Sequence, residues 1–295
     1  MIKEFISERE QGKKTLDLEE INEKVYNGIL TIYKKYIKGF AKNFPEECPD
    51  SNDVICGTNE YLLEKEVKCL IPDFSFSHKS DYSYIDEDEK YALLDFIEYC
   101  YDNIYDVEEY GYHDYFKHNH YEVKQIRSER IKFKDEVNRV FERNRIIFFL
   151  DEDGKIKRRL PLEMDNIIRN INLETSDKRL NELIGLAIEN IQSPKLNDRI
   201  IGLEKSWDAF ERMKTYYGGK KNKSAEQLVD EVSIGTDKFD KILNVEFKAL
   251  SDIGNKYYQI RHFEKDRIEI KSSVHIDYLF YRMIALINLC VSELE

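Results

Sequence analysis

The chain has 295 residues and a net charge of −12; 41% of its residues are hydrophobic, 35% are charged, and glycine and proline are scarce. This composition favours a mainly helical protein with a substantial core, and the length suits two domains. The sequence has no run of about 18 apolar residues, so no membrane span is predicted. The first residues lack the pattern of a signal peptide. The five cysteines form no CxxC pair, which indicates a reduced, cytoplasmic protein without a zinc ribbon or structural disulfides.

Helical periodicity dominates the first half of the chain. Apolar spacing predicts helices over residues 16–42, 58–70 and 124–143, and an acidic, tyrosine-rich helix pair over 87–110. Residues 44–60 read as a loop, and the helical pattern breaks over 111–120. Residues 145–160 are predicted to form a β-hairpin, because Asp153-Gly154 is a strong turn signal between two short strands.

The second half is predicted to be helical over residues 176–192, 196–217, 224–232, 237–260 and 274–294. The fold class is therefore mainly α, with two domains divided near residues 118–125. Residues 1–122 form a helical, acidic, tyrosine-rich N-terminal domain. Residues 123–295 form a helical bundle that carries the hairpin as an insertion.

The negative charge is concentrated in one stretch. Residues 80–114 contain twelve acidic residues and one basic residue, Lys90, and so carry −11 of the net −12. The remainder is close to neutral, so the overall charge does not exclude RNA as a partner elsewhere. The basic residues between Arg127 and Arg159 are the best candidates for contacts with a nucleic-acid backbone, with an ordinary solvated face as the alternative.

The segment from Asp252 to His262 concentrates the most possible chemistry. Asn255 and His262 are seven residues apart, so a continuous helix would place them on one face. His262 would act as a general acid or base, and Arg261 would hold a phosphate through two hydrogen bonds, with Lys256 nearby. The alternative is a helix C-terminus that is simply stabilised by cations.

Helix 196–217 offers acidic partners for that segment. Glu204, Asp208 and Arg212 follow one another at four-residue steps, which usually makes weak side-chain pairs on a helix surface. The functional alternative is that Glu204 or Asp208 orients a catalytic histidine or arginine from a neighbouring helix. Trp207, the one tryptophan in the chain, is predicted to be a core residue.

The loop from His113 to His120 is an alternative candidate for a metal site. His118 and His120, with His113 or Asp114, would supply three zinc ligands, but nothing else in the sequence sets their geometry. The main prediction is no metal and no cofactor. The GxGxxG, GxxxxGK[ST], GxSxG and HExxH motifs do not occur, which disfavours nucleotide-cofactor enzymes, P-loop NTPases, α/β-hydrolases and zincin proteases.

Three segments carry a resemblance to a known family: LEKSWDAFER at 203–212, IGNKYYQIRH at 253–262 and DYLFYRM at 277–283. With them, the C-terminal half resembles abortive-infection-type (AbiJ-like) bacterial defence proteins with a C-terminal HEPN-like domain. The first 120 residues resemble no family. The resemblance implies a helical bundle that often dimerises and, in active members, cleaves RNA without a metal by means of an arginine and a histidine four to six residues apart.

The chain departs from this pattern in one respect. The positions for the arginine are Asn255, Lys256 and Tyr257, so His262 alone is carried over directly, and Arg261 would replace the arginine from the adjacent position. The leading hypothesis is a metal-independent endoribonuclease without a cofactor, acting in antiphage (abortive infection) or toxin–antitoxin defence. The alternative is a non-catalytic, HEPN-like binding or sensor subunit, with residues 80–114 docking a basic protein partner.

Overall fold

The computed structural model describes residues 5–12, 14–51, 53–257, 260 and 268–294, with residues 256 and 257 described by their backbone alone. The protein is mainly helical, as the sequence predicts, and it also contains a small antiparallel sheet that was not predicted. The chain divides into two compact units, Met1–Arg159 and Leu160–Glu295.

The first unit combines helices with two groups of strands. Its helices are α1 (Ile6–Gln11), α2 (Glu23–Lys35), a 3-10 helix (Ile37–Lys42), α3 (Glu60–Leu70), α4 (Glu87–Asn103) and α5 (Ser128–Arg143). Its strands are β1 (Pro45–Glu47), β2 (Ile55–Thr58), β3 (Val107–His113), β4 (His118–Val123), β5 (Phe148–Leu150) and β6 (Ile156–Arg158).

The helix predicted over residues 16–42 is shorter than expected. Its beginning is set by Asn22, whose side chain caps α2 by accepting a hydrogen bond from the Val25 N–H at 3.1 Å. Before the cap, Leu18 forms a parallel β-bridge with Ile146. Residues 16–22 therefore lie outside the helix, and the chain after Lys35 tightens into the 3-10 helix.

Residues 107–123 form a hairpin where the sequence predicted helix followed by a break. The four-stranded sheet has the order β1-β2-β4-β3, and every pair is antiparallel. The register of β3 and β4 shifts between Tyr110 and Tyr112, where Gly111 has a φ of +51°. Because β3 is an edge strand with mostly exposed side chains, it lacks the alternation that identifies a half-buried strand.

The second hairpin, β5 and β6, forms where it was predicted but packs within the first unit. Phe133 and Phe141 of α5 are fully buried in the same core as Phe148 of β5. At the turn, Gly154 has a φ of +79°, and a Cβ there would lie 2.2 Å from the Tyr101 ring of α4. The predicted domain boundary near residues 118–125 thus falls inside this unit, because α5 and the hairpin complete its core.

The second unit consists of helices. They are α6 (Leu162–Asn170), α7 (Lys178–Ile191), α8 (Leu196–Met213), α9 (Lys221–Ser233), α10 (Asp237–Asp252), a π-helical turn (Ile253–Tyr257) and α11 (Ser273–Val291). Helix α6 was not predicted. The antiparallel neighbours α7 and α8 approach closely at Gly202, where a Cβ would lie 2.8 Å from the Ile191 nitrogen.

Helix α11 is apolar for most of its length. Among the described residues it is the one helix long and apolar enough to cross a membrane, with a mean hydropathy of 1.4 over its most apolar window. Half of that window is buried inside the protein, and Phe280, Met283 and Ile287 are fully buried in the core of the second unit. The core helix of a soluble protein meets the same criteria, so α11 is weak evidence for a membrane span.

Candidate functional site

Trp207 of α8 determines how α10 ends. The indole is fully buried, as predicted, and its Nε1–H donates a hydrogen bond to the Leu250 carbonyl at 2.9 Å. An uninterrupted α-helix would pair that carbonyl with the N–H of Gly254. The indole therefore competes with the regular helix bond at the point where α10 changes into the π-helical turn.

Gly254 lies directly against this indole. A Cβ at residue 254 would be 2.2 Å from Nε1 and 2.3 Å from Cδ1 of Trp207. Only glycine fits, because the ring is held in the core and cannot move aside. The sequence marked Gly254 as part of a motif, and the structure gives the physical reason for it.

The structure describes only some of the predicted site residues near this turn. Asn255 lies within the π-helical turn and is half-buried. Lys256 lies in the same turn, but its side chain is outside the described residues, as are Arg261 and His262. Because a π-helical turn holds more residues than an α-helical one, the two-turn spacing from Asn255 to His262 no longer predicts a shared face.

Glu204 and Asp208 lie one helical turn apart on α8, beside the buried face that holds Trp207. Burial raises the pKa of the Glu204 carboxyl; nearby Lys205 opposes this shift and the negative charge of Asp208 adds to it. The Lys205 Nζ is 3.2 Å from Asp208 Oδ2, with both side chains about one-third exposed. In this pair, Asp208 has the Lys205 ammonium within hydrogen-bond distance, whereas the charged form of Glu204 is disfavoured by burial.

Arg212 does not continue this row of charges. Its Nε donates to Asp177 at 2.6 Å, and Asp177 also caps α7 by accepting from the N–H groups of Arg179 and Leu180 at 3.1 Å. Burial opposes ionisation of Asp177, but the bond and charge of Arg212 together with the two backbone N–H bonds outweigh it and lower the pKa of that carboxyl. Arg212 therefore joins α8 to α7 and leaves Glu204 and Asp208 as the acidic pair.

A buried ion-pair network that the sequence did not predict holds the end of α10. Lys214 donates to Glu211 at 2.6 Å and to Ser251 at 2.9 Å, and Lys221 also donates to Glu211. Burial opposes the charge on Glu211, but the two lysines outweigh it and lower its pKa. Ser251 is two residues before the π-helical turn, so this network and Trp207 hold the same end of the helix.

The comparison with known families concerns the first part of the chain. A family model described as AbiJ N-terminal domain 4 matches residues 5–173, which is more than half of the chain. The chain belongs to the AbiJ N-terminal domain 4 family. Membership of this family indicates a role in abortive-infection defence. No curated protein and no solved structure matches the chain.

The AbiJ match covers the region in which the sequence alone showed no resemblance. It spans the first unit and α6 of the second. The three segments that carry the resemblance to a HEPN-like domain begin at residue 203 and lie beyond it. The defence role and the proposed chemistry therefore rest on different parts of the chain.

The basic residues between Arg127 and Arg159 are largely paired with acids of their own unit. Nine of the eleven form ion pairs: Lys132, Lys134, Arg139, Arg143, Arg145, Lys155, Lys157, Arg158 and Arg159. Arg139 and Arg143 both contact Glu8, and the hydrogen bond from Arg139 lowers the pKa of Glu8 to about 2. This pairing favours the solvated, structural interpretation of these residues over a phosphate-binding surface.

Replacing Gly254 with alanine tests the contact with Trp207. Because the added Cβ overlaps the indole, we expect Gly254→Ala to destabilise the second unit by about 1–3 kcal/mol. Trp207 is the one tryptophan, so its fluorescence during urea unfolding reports on this unit directly. Gly185→Ala in α7 is the control: a Cβ there has no neighbour within 4 Å, and we expect stabilisation of about 0.5–1 kcal/mol. Equal shifts in the two variants would contradict the contact.

Replacing Glu204 with glutamine tests the raised pKa. The folded state disfavours the charged carboxylate, so wild type loses stability relative to Glu204→Gln as pH rises from the unfolded pKa through the higher folded one. We expect the variant to unfold at higher urea at pH 7 and at the same urea below pH 4. Glu226→Gln, at an exposed position in α9, should change little at either pH. A variant less stable than wild type at pH 7 would show that the charge of Glu204 is stabilising.

Proposed function

We propose that the chain is a metal-independent endoribonuclease effector of antiphage defence, acting in abortive infection or in a toxin–antitoxin pair, with a HEPN-like C-terminal domain. The observation that carries this proposal is the π-helical turn that Trp207 and Gly254 hold, which precedes Arg261 and His262 in the sequence. Such turns occur frequently at functional sites. Membership of the AbiJ family supports the defence setting.

The proposed reaction needs a proton carrier and a positive charge, but no metal. The 2′-hydroxyl of RNA loses its proton to His262 and attacks the adjacent phosphorus, and the bond to the 5′-oxygen breaks. A proton returned from an imidazolium leaves that oxygen as a 5′-hydroxyl, and the other fragment ends in a 2′,3′-cyclic phosphate. Arg261 stabilises the extra negative charge that the phosphate carries in the transition state.

The remaining site residues have supporting roles in this proposal. Glu204 or Asp208 orients His262 or Arg261 by accepting a hydrogen bond from its side-chain N–H. Asn255 and Lys256 contact the RNA phosphates as a hydrogen-bond donor and a cation. The Gly254 contact supports these roles because it holds the π-helical turn, which carries both residues, against α8.

A homodimer is part of the proposal, as is a location in the cytoplasm. Apolar side chains of α10 and α11 line a shared groove at the surface of the second unit. Ile242, Val245 and Tyr278, on the exposed sides of these helices, are 59–69% exposed. A second copy that covers this apolar surface would also unite two copies of α10, the helix that leads into the proposed site.

The decisive experiment is RNA cleavage by the purified full-length protein and its His262→Ala variant. We expect the variant to lose about 10²–10⁴-fold in rate, because removal of a general acid or base has effects of that size. Wild-type cleavage should persist in EDTA, and its products should accept a 5′-phosphate from a kinase without prior phosphatase treatment. Sedimentation of the same samples should give the mass of a dimer.

A second histidine in the same unit provides the matched control. His275 lies in the first turn of α11 and is exposed, so His275→Ala should cleave at close to the wild-type rate. Circular dichroism establishes that both variants are folded. Unchanged cleavage by folded His262→Ala, or products that end in a 5′-phosphate, would rule out the proposed mechanism.

One observation favours the alternative, a non-catalytic binding or sensor subunit that docks a protein or nucleic-acid partner. Among the described residues, six acids between residues 80 and 114 form ion pairs with lysines of the first unit: Glu87, Glu89, Glu98, Glu108, Glu109 and Asp114. Others, including Asp81, Asp88 and Asp102, are exposed. The exposed acids offer a surface for a basic protein partner, whereas the paired ones stabilise their own unit.

Charge neutralisation separates this alternative from the nuclease. If the acidic stretch docks a basic partner, the combined Asp81→Asn, Asp88→Asn and Asp102→Asn variant should lose at least about tenfold in affinity for it, most strongly at low salt. The measurement is co-purification from the native host, followed by titration with the recovered partner. A nuclease without such a partner would give the same co-purifying proteins for variant and wild type, and would still cleave RNA.

A further inference from the structure

Three histidines of the β3–β4 hairpin and a cysteine distant from them in sequence lie close together at the four-stranded sheet. His118 and His120 are two residues apart on β4, so their side chains lie on the same face. His113 at the end of β3 is paired directly with His118. Cys48 follows β1, and its N–H donates to the Val54 carbonyl at 2.8 Å, which extends the pairing of β1 and β2 by one residue.

The ligand-type atoms of three of these residues converge. The Cys48 sulfur and one ring nitrogen each of His118 and His120 all lie within 4.8 Å of one another. Cys48 is only 4% exposed and is not in a disulfide. A buried thiol between two imidazoles is an unusual arrangement for a core, which is normally filled by apolar side chains.

The two imidazoles lack the partners that buried polar atoms need. The Nε2 atoms of His118 and His120 are both buried and make no hydrogen bond within the part of the chain that the structure describes. Buried polar atoms are nearly always satisfied, and an exception calls for a bound water or ion. Two such imidazoles beside one sulfur point to a single ligand that accepts an electron pair from each of the three side chains.

We propose that Cys48, His118 and His120 bind a zinc ion. One thiolate and two neutral imidazoles are a zinc donor set, with bonds of about 2.0–2.3 Å. In a tetrahedral site those bonds place ligand atoms roughly 3.3–3.8 Å apart. The present separations of up to 4.8 Å would have to shorten by about 1 Å as the ion binds. Three protein ligands leave a fourth position for water.

His113 has a different role from the two ligands on β4. Its Nδ1 accepts a hydrogen bond from the Phe116 N–H at 3.3 Å, and its Nε2 lies 3.5 Å from an Asp50 carboxylate oxygen. Both ring nitrogens therefore have partners already. The His113 ring stacks on that of His118, with centroids 5.5 Å apart, so it supports the orientation of a ligand. The three-histidine set that the sequence left open is replaced by one that includes Cys48.

The proposed ion would cross-link the sheet where its own bonding is sparse. The ladder between β2 and β4 has one residue pair, Ile55 with Tyr121. A zinc ion joins the chain after β1 to β4 across that junction, and so stabilises the folded first unit. This site belongs to the first unit and does not depend on the ribonuclease proposed for the second.

Zinc titration of the full-length protein tests the site. After treatment with a chelator and dialysis, wild type should bind one zinc per chain, and its unfolding temperature should rise with zinc concentration. Cobalt(II) in place of zinc should give a sulfur-to-metal charge-transfer band. We expect Cys48→Ser, His118→Gln and His120→Gln to weaken zinc binding by at least about 100-fold, since the loss of a direct ligand should exceed the loss of its support.

Two variants serve as controls within the same sheet. Cys56→Ser on β2 and His113→Gln should keep one zinc per chain and the cobalt charge-transfer band. Circular dichroism without metal establishes that Cys48→Ser is folded, and His120→Gln tests the site without altering the thiol. The proposal is overturned if wild type binds no zinc at micromolar concentration, or if Cys48→Ser and His120→Gln bind it like wild type. Loss of zinc in His113→Gln together with its retention in Cys48→Ser would favour the three-histidine set instead.

Discussion

The hydrogen bond from the Trp207 indole to the Leu250 carbonyl is the interaction on which the second unit's candidate site depends. It occupies an acceptor of the last α-helical turn, and α10 continues as a π-helical turn from the next residues. Gly254 allows the backbone to approach the indole, and the Glu211–Lys214–Ser251 network holds the same helix end from another side. A segment held by three separate contacts is well suited to carry groups that must keep a fixed position.

Charge in the first unit is arranged by pairing more than by separation into acidic and basic surfaces. The sequence shows −11 over residues 80–114 and a basic run after residue 127, which invites an interpretation as two opposed surfaces. In the structure Glu98 pairs with Lys155, and the basic residues beyond residue 127 mostly contact acids of the same unit. Local net charge along the sequence therefore overstates the field that a partner meets.

Elements with strong local signals were predictable, and those that depend on distant contacts were not. Asp153-Gly154 identified the second hairpin because a turn is decided by its own residues. Helical periodicity located α7, α8, α9 and α11 within about one turn, whereas α10 ends eight residues before its predicted end. Strand β3 escaped because an exposed edge strand shows no alternation. For the candidate site, the sequence found Gly254, Glu204 and Asp208 as a pattern. It could not show that Trp207 ends α10, or that Cys48 lies near residues 70 positions away.

The state of Glu204 bears on whether the site is functional. A carboxyl whose pKa is raised by burial destabilises the folded protein at neutral pH, and a glutamine of the same shape would avoid that loss. Asp208 increases the penalty instead of relieving it, whereas Glu211 in the same helix is compensated by two lysines. Structural carboxylates are usually compensated by neighbouring cations, as Glu211 is. Glu204 keeps a raised pKa although Lys205 opposes the shift, and this property suits the proton-handling site proposed beside Trp207.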